Sequence, residues 1–327
     1  MPPHARAVEA CKTHRAMKRK ASYYVIFPLW YVFSLLPLRL LYLVSDLLYV
    51  PVYKIFGYRR RVVRKNLEES FPDKSRDELR EIERKFYRYF RDYLVETIKY
   101  FSISEREIRR RMVFEGAEEA NRYLAEGKSS ILFMGHYCNW EWVSSLPLYI
   151  TKADDHVRGH IYHRLANATM DALFLRMRHR FESENIEMHS ALRVLARCRA
   201  ENKKFVIGFI SDQAPKWENI NMWTDFLNHK TAFFTGAESL AKLADAAVFY
   251  IDVKRVRRGY YRARFVKMTD RPKDFTGHEL TERYAQLLQQ SIEAAPEFWL
   301  WTHNRWKRTY KEYVLHHAKK RGDRTVQ

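Results

Sequence analysis

The apolar residues of this chain change their spacing several times, and each change predicts an element. Ala21 to Leu38 runs 18 residues without a charge. Apolar character resumes from Leu40 to Phe56, broken by Asp46 and Lys54 and punctuated by Pro28, Pro37 and Pro51. A helix needs about 20 residues to cross a bilayer, so this stretch predicts a membrane anchor. No small-residue cleavage site follows it, which favours an uncleaved anchor over a removed signal. Trp30 and the flanking tyrosines suit the membrane interface. Both flanks are basic, with Arg6, Lys12, Arg15 and Lys18–Lys20 before and Arg59, Arg60, Arg61, Arg64 and Lys65 after. The positive-inside rule therefore leaves a single span, an interfacial helix and a re-entrant hairpin all open. Met17, followed by Lys-Arg-Lys, reads as an alternative start.

Beyond the anchor the period alternates. From Ser75 to Phe101, Leu79, Ile82, Phe86, Tyr89, Phe90, Tyr93, Leu94 and Ile98 recur at three- and four-residue steps, predicting an amphipathic helix. A short basic helix near 104–111 and a helix over 117–126, ended by Gly127, follow. Ile131–Met134 is a short apolar run bounded by Gly135 and reads as a buried strand. Val157–Tyr162, Phe205–Ile210, Ala247–Val253 and Tyr260–Val266 read the same way. Helical patterns lie at Trp140–Tyr149, Ala166–Arg180, Ala191–Glu201, Gly236–Leu243 and Leu280–Ala294. Strands alternating with helices predict an α/β fold: a mixed, largely parallel sheet flanked by helices, behind an N-terminal membrane-anchoring helical segment. The expected divisions are a basic arm (1–20), the anchor (21–57), one catalytic-sized domain (58–315) and a basic tail (316–327).

Composition narrows the function. With 46% hydrophobic residues among 327, the chain can bury a full core. Lys and Arg number 59 against 39 acids, a formal charge of +20. A field of that size attracts anions: phospholipid head groups, nucleic acid or an acidic carrier protein. No recognisable nucleic-acid module is present, so no nucleic-acid partner is expected. Three cysteines without pattern give neither a disulfide framework nor a zinc spacing and favour a reducing compartment; no metal and no cofactor is expected. There is no Gly-x-Ser-x-Gly elbow, P-loop or Gly-x-Gly-x-x-Gly. His316-His317 reads as a solvated pair in the tail.

One spot carries chemistry. The strand Ile131–Met134 ends in Gly135-His136-Tyr137-Cys138-Asn139-Trp140-Glu141. Sites in open α/β sheets gather at the carboxyl ends of strands. A carboxylate at Glu141 is expected to take a hydrogen bond from one ring nitrogen of His136 and leave the other basic and outward. The spacing alone says little, because His followed five residues later by an acid occurs three times, at His4, His136 and His179. Only His136 follows a buried strand and a glycine able to make a tight turn. The residues by themselves fit a catalytic dyad and a structural histidine capped by Glu141 equally.

Gly-His-Tyr-Cys-Asn-Trp-Glu at 135–141 resembles the Gly-His-x-x-Asn-Trp-Glu block of the bacterial lipid A biosynthesis (lauroyl/myristoyl) acyltransferases, which share a His-x4-acid motif with the glycerolipid and lysophospholipid acyltransferases. The resemblance continues in order. Arg59 to Pro72 is similar to the basic stretch leading to Asn-Leu and Phe-Pro. Tyr162, Asn167, Asp171, Arg178 and Arg180 match a second block, although Tyr162-His163-Arg164 stands where Tyr-Arg-Pro is usual and Glu182 where Gly is common. Asp212-Gln213, Phe226-Leu227, Thr235-Gly236 and Ala241 fit next, and Trp299 to Trp306 resembles the terminal Trp-x-x-His-x-Arg block.

The resemblance implies a transferase of the bacterial inner membrane, with its catalytic domain facing the cytoplasm. It would move a fatty acyl group from a thioester, on acyl carrier protein or CoA, to a hydroxyl of a lipid acceptor in lipopolysaccharide synthesis. His136 would be the general base and Glu141 its partner. Arg178 would meet the oxyanion or an acceptor phosphate. Arg180, Asn139, Asp212 and Gln213 would bind substrate, with buttressing of the dyad open to Asp212 and Gln213. An aminolipid or lysophospholipid acceptor, a thioesterase using the same dyad on water, and a non-catalytic anionic-lipid-binding protein are the competing readings.

Overall fold

The computed structural model describes residues 20–153 and 156–322. The expected basic arm up to Arg19 and the end of the tail lie outside the described residues. The strands are β1 (Met112–Glu115), β2 (Ser130–Met134), β3 (His156–Tyr162), β4 (Glu184–Glu187), β5 (Lys204–Ile210), β6 (Trp223–Phe226), β7 (His229–Ala232), β8 (Ala247–Arg257) and β9 (Tyr260–Thr269). Seven of them form one sheet in the order β1-β9-β8-β2-β5-β3-β4, and β6 and β7 form a separate antiparallel hairpin. Every neighbouring pair in the large sheet is parallel except β8 with β9. The expected mixed, largely parallel α/β sheet is therefore present. All five strands legible from periodicity are in it. The added ones are short, and only Ile186 is buried in β4, too little for an apolar run to show.

The strand order fixes which connections lie on which face. The chain steps outward from β2 to β3 to β4, then back from β4 to β5 and from β5 to β8. Right-handed crossovers put outward and returning connections on opposite faces. The outward face carries the 3₁₀ segment Trp142–Leu148 and the helix Ala168–Arg178; the return face carries the helices Ala191–Ala200 and Gly236–Ala244. Ring contacts agree. Trp142 meets Tyr261 edge-on at 5.8 Å on the outward face, and Phe133 meets Tyr284 of the helix Glu279–Ala294 at 4.9 Å on the other. The helix expected over Trp140–Tyr149 is a 3₁₀ segment instead, because Pro147 lies inside it and supplies no N–H.

The charge-free run is two helices rather than one. Ala21–Leu35 and Leu38–Tyr49 meet at a bend of 115°, and the second runs on into a π-helical turn, Val50–Ile55. Pro37 causes the break: the residue before a proline avoids helical backbone, and Leu36 is extended at φ −54°, ψ 140°. Among the described residues no single helix is long and apolar enough to cross a membrane, whereas the bent pair together passes that test. Both helices pack one side on the long helix Arg76–Lys99, which starts at a capping box between Ser75 and Glu78. The other side exposes Val25, Leu29, Val32, Leu40, Leu43 and Leu47, with Leu47 76% exposed. His316 belongs to the helix Tyr310–Gly322 and stacks on Trp217, so it is not the freely solvated tail residue the sequence suggested.

Candidate active site

The site grows from the end of β2. Gly135 is needed there for space, not for a left-handed φ: a Cβ on it would lie 2.6 Å from Leu288 Cδ1, in the helix Glu279–Ala294. The turn that follows is left-handed at Cys138, with φ 50°, a conformation that costs a non-glycine residue free energy and persists only where surroundings enforce it. The enforcement is visible. The Cys138 N–H donates to Phe298 O at 2.9 Å, the Leu300 N–H donates to His136 O at 3.1 Å, and the Tyr89 hydroxyl donates to Cys138 O. Asn66 in turn donates to the carbonyls of Trp301 and His303, both at 2.9 Å. The Asn-Leu block near the N-terminus thus braces the Trp block near the C-terminus, and both brace the histidine turn.

His136 is held by Asp212, which stands just past the end of β5, the strand beside β2. Asp212 Oδ1 lies 2.6 Å from His136 Nδ1, and Oδ2 accepts the His136 backbone N–H at 2.9 Å and Trp299 Nε1–H at 2.8 Å. Burial alone would raise the Asp212 carboxyl; the charge and hydrogen bonds of His136, with the bond from Trp299, outweigh it and hold the group at about 2. An ionised carboxylate at Nδ1 fixes the proton there and leaves Nε2 as the acceptor. Gln213 Nε2 lies 3.2 Å from His136 Nε2, an amide positioned to donate to that lone pair.

Glu141 does not take the place at the imidazole that the spacing suggested. Both of its oxygens are engaged by Arg178, Oε2 by Nε at 2.7 Å and Oε1 by Nη2 at 2.6 Å. Trp140 Nε1–H adds 3.2 Å to Oε1. A guanidinium fork from the helix Ala168–Arg178 outcompetes a single imidazole N–H for a buried carboxylate. Asn139 also departs from expectation: it is fully buried, donates to Glu96 Oε2 at 2.7 Å and accepts the Trp142 N–H at 3.1 Å. It shapes the turn from a position sealed off from solvent. Arg180 lies outside the cavity, where its Nη1 donates to Tyr100 O and its guanidinium covers the Phe181 ring. Asp212 and Gln213 are the two substrate-site candidates that reach the histidine. Among the described residues no group of three or more His, Cys, Asp or Glu could hold a metal.

A cavity of about 530 Å³ opens beside His136, and Glu141, Arg178 and Gln213 also line it. Apolar residues form much of its wall, with Leu132, Val206 and Gly208 on the sheet and Val143, Leu146 and Pro147 of the 3₁₀ segment over them. Arg158 closes the far end, donating to Pro147 O at 3.0 Å and to Glu182 Oε2 at 2.9 Å. An imidazole beside a cavity with apolar walls can activate a hydroxyl next to a hydrocarbon-bearing substrate.

The pairing of His136 with Asp212 could be anticipated only from strand order, since two adjacent parallel strands ending in His and Asp bring these side chains together. No individually curated protein matches the chain. The family model for bacterial lipid A biosynthesis acyltransferases matches residues 9–308, nearly the whole chain, and with the ordered blocks around His136 it places this protein in the bacterial lipid A biosynthesis acyltransferase family.

Proposed function

We propose that this acyltransferase moves a fatty acyl group from a thioester, on acyl carrier protein or CoA, to a hydroxyl of a lipid A precursor, with His136 as general base. The observation that carries the reading is the state of the imidazole: Nδ1 on a buried, ionised Asp212 and Nε2 turned to an apolar cavity. The acceptor hydroxyl gives its proton to Nε2 as its oxygen attacks the thioester carbonyl. The resulting imidazolium is stabilised by Asp212. Collapse of the tetrahedral intermediate breaks the C–S bond, and the proton passes from His136 to the leaving thiolate, giving ester and thiol. General-base catalysis contributes about 10²–10⁴ in rate, and positioning and oxyanion stabilisation supply the rest. Arg178 is the donor for that oxyanion. It lines the cavity, Glu141 fixes its Nε and Nη2, and Nη1 has no hydrogen bond among the described residues. Glu141 thereby acts through Arg178 rather than through the imidazole.

The same reading puts the enzyme at the cytoplasmic face of the bacterial inner membrane. Its support is the apolar stripe on the bent helix pair, an area of contiguous exposed hydrocarbon that marks a membrane or protein contact. The deciding experiment is His136→Ala, assayed with an acyl thioester and a lipid A precursor. Loss of acylated lipid with folding and vesicle binding retained is expected; near-normal transfer would reject His136 as the base. Free fatty acid in place of acylated lipid from the unmodified enzyme would mark a thioesterase instead.

A further inference from the structure

The cavity beside His136 is lined from both faces of the sheet. Side chains alternate along a strand, and the register pairs Leu132 with Gly208 and Gly208 with His160. Leu132, Val206 and Gly208 therefore share the outward face, under the 3₁₀ segment. Phe209 of β5 and Ile161 of β3 point the opposite way, yet they line the same cavity. With them stand Met188 and Ala191, at the entry to one return-face helix, and Ala237 and Leu240, in the first half of the other. The cavity thus wraps around the carboxyl edge of the sheet, and His136 lies where its two lobes meet.

The lobes differ in depth. The outward lobe runs down the strands as far as Val206 and is stopped by Arg158. A chain swallowed whole fits there. The return-face lobe meets Phe209 and Ile161 near the carboxyl ends of their strands, and its rim includes exposed His189 and Gly236. A chain that enters partway, while the rest of its molecule stays at the membrane, fits that shape. Both lobes have apolar walls, with the lining cations Lys216, Lys307 and Arg308 on loops, so each takes hydrocarbon.

We propose that the return-face lobe is a second alkyl-chain site, holding a hydrocarbon chain of the acceptor lipid while the thioester's acyl chain fills the outward lobe. The two substrates then reach His136 Nε2 from opposite faces of the sheet. Neither chain has to leave for the other to enter, so donor and acceptor bind together and the acyl group passes directly between them. This inference rests on the acyl transfer proposed above.

Two glycines test it. A Cβ on Gly236 meets nothing within 4 Å, its φ is not left-handed and the residue lines the cavity, so Gly236→Phe is expected to add bulk at the rim of the return-face lobe. A Cβ on Gly208 would lie 2.8 Å from Met134 Cε, the mobile tip of a flexible side chain, so Gly208→Ala narrows the outward lobe instead. Kinetics of the full-length enzyme are measured with a lipid A precursor and a graded series of saturated acyl thioesters. Gly236→Phe should raise the acceptor KM about tenfold and leave the preferred donor length unchanged. Gly208→Ala should shift donor preference to shorter chains and leave the acceptor KM unchanged. An unchanged acceptor KM in Gly236→Phe, or a shift in its donor length, overturns the assignment of the lobes. If donor preference also ignores Gly208→Ala, and His136→Ala still transfers acyl groups, the failure lies in the underlying reading.

Discussion

Asp212 grips His136 at two points, the ring through Nδ1 at 2.6 Å and the backbone N–H at 2.9 Å. One carboxylate therefore sets the rotation, the tautomer and the backbone position of the proposed base together. Asp212→Asn keeps the shape but replaces an acceptor with an amide that can donate, which favours the wrong tautomer. We expect kcat to fall about 10²- to 10⁴-fold with little change in either KM. The unmodified carboxyl, lowered to about 2, stays ionised throughout the working range. Any acid limb of the wild-type rate profile above about pH 3 is therefore not its protonation. An Asp212→Asn enzyme with wild-type kcat would remove Asp212 from the mechanism.

Glu141 and Arg178 form a second unit, and its parts do not act independently. The carboxylate is 2% exposed and both oxygens are taken by one guanidinium. Removing one partner leaves a buried charge uncompensated, at a cost of about 3–5 kcal/mol. Glu141→Gln and Arg178→Met should each destabilise strongly, and the double variant should recover much of the loss. Additive losses in urea unfolding would show that the pair is not coupled.

The difference between these two carboxylates shows where sequence reading stops. The strand and the histidine at its end are legible, because an apolar run closed by Gly135-His136 is a local signal. Glu141 looks like the partner because it is five residues away along the chain. Asp212 is 76 residues away and becomes the neighbour only because β5 pairs with β2, a tertiary fact. Arg178 captures Glu141 for the same reason, arriving on a helix from elsewhere. The break at Pro37 is written in the sequence, but its 115° bend follows from packing on Arg76–Lys99. Strand β4 has one buried side chain and β6 and β7 depend on pairing with each other, so neither has a periodic signature to read.

Two half-buried histidines, His160 and His303, make stability depend on pH. Burial pushes His160 down to about 3, aided by the charge of Arg178; burial and the charge of Arg305 push His303 down to about 4. Both are neutral in the fold, and His303 Nε2 accepts the Ala214 N–H at 3.3 Å. In the unfolded chain they titrate near 6.5, so between pH 6.5 and about 4 the unfolded state binds more protons and stability falls as pH falls. Each histidine accounts for at most about 2 kcal/mol by pH 5. Thermal melts at about pH 7.5 and about pH 5 should differ less in His303→Gln than in the wild type. An identical difference in both proteins would show that His303 does not contribute.

Asp92 binds the bent helix pair to the body. Its side chain is 4% exposed, accepts Ser45 Oγ–H at 2.7 Å from the second N-terminal helix, and pairs with Arg255 Nη2 at 2.9 Å and Arg258 Nη2 at 2.6 Å. Arg258 also reaches Asp46 at 2.8 Å. One buried anion thus joins three elements: the N-terminal pair, the long helix and the β8–β9 hairpin. Asp92→Asn removes the charge from between two guanidinium groups and should cost about 3–5 kcal/mol. Asp77→Asn is the control. Its partner Arg80 and its own carboxylate are both well exposed, so the change should cost under about 1 kcal/mol. The N-terminal pair is the part released first, so Asp92→Asn should also speed proteolysis near Leu36-Pro37, where the chain is extended between the two helices. Equal melting temperatures for the Asp92 and Asp77 variants would show that the network does not secure the helices that carry the apolar stripe.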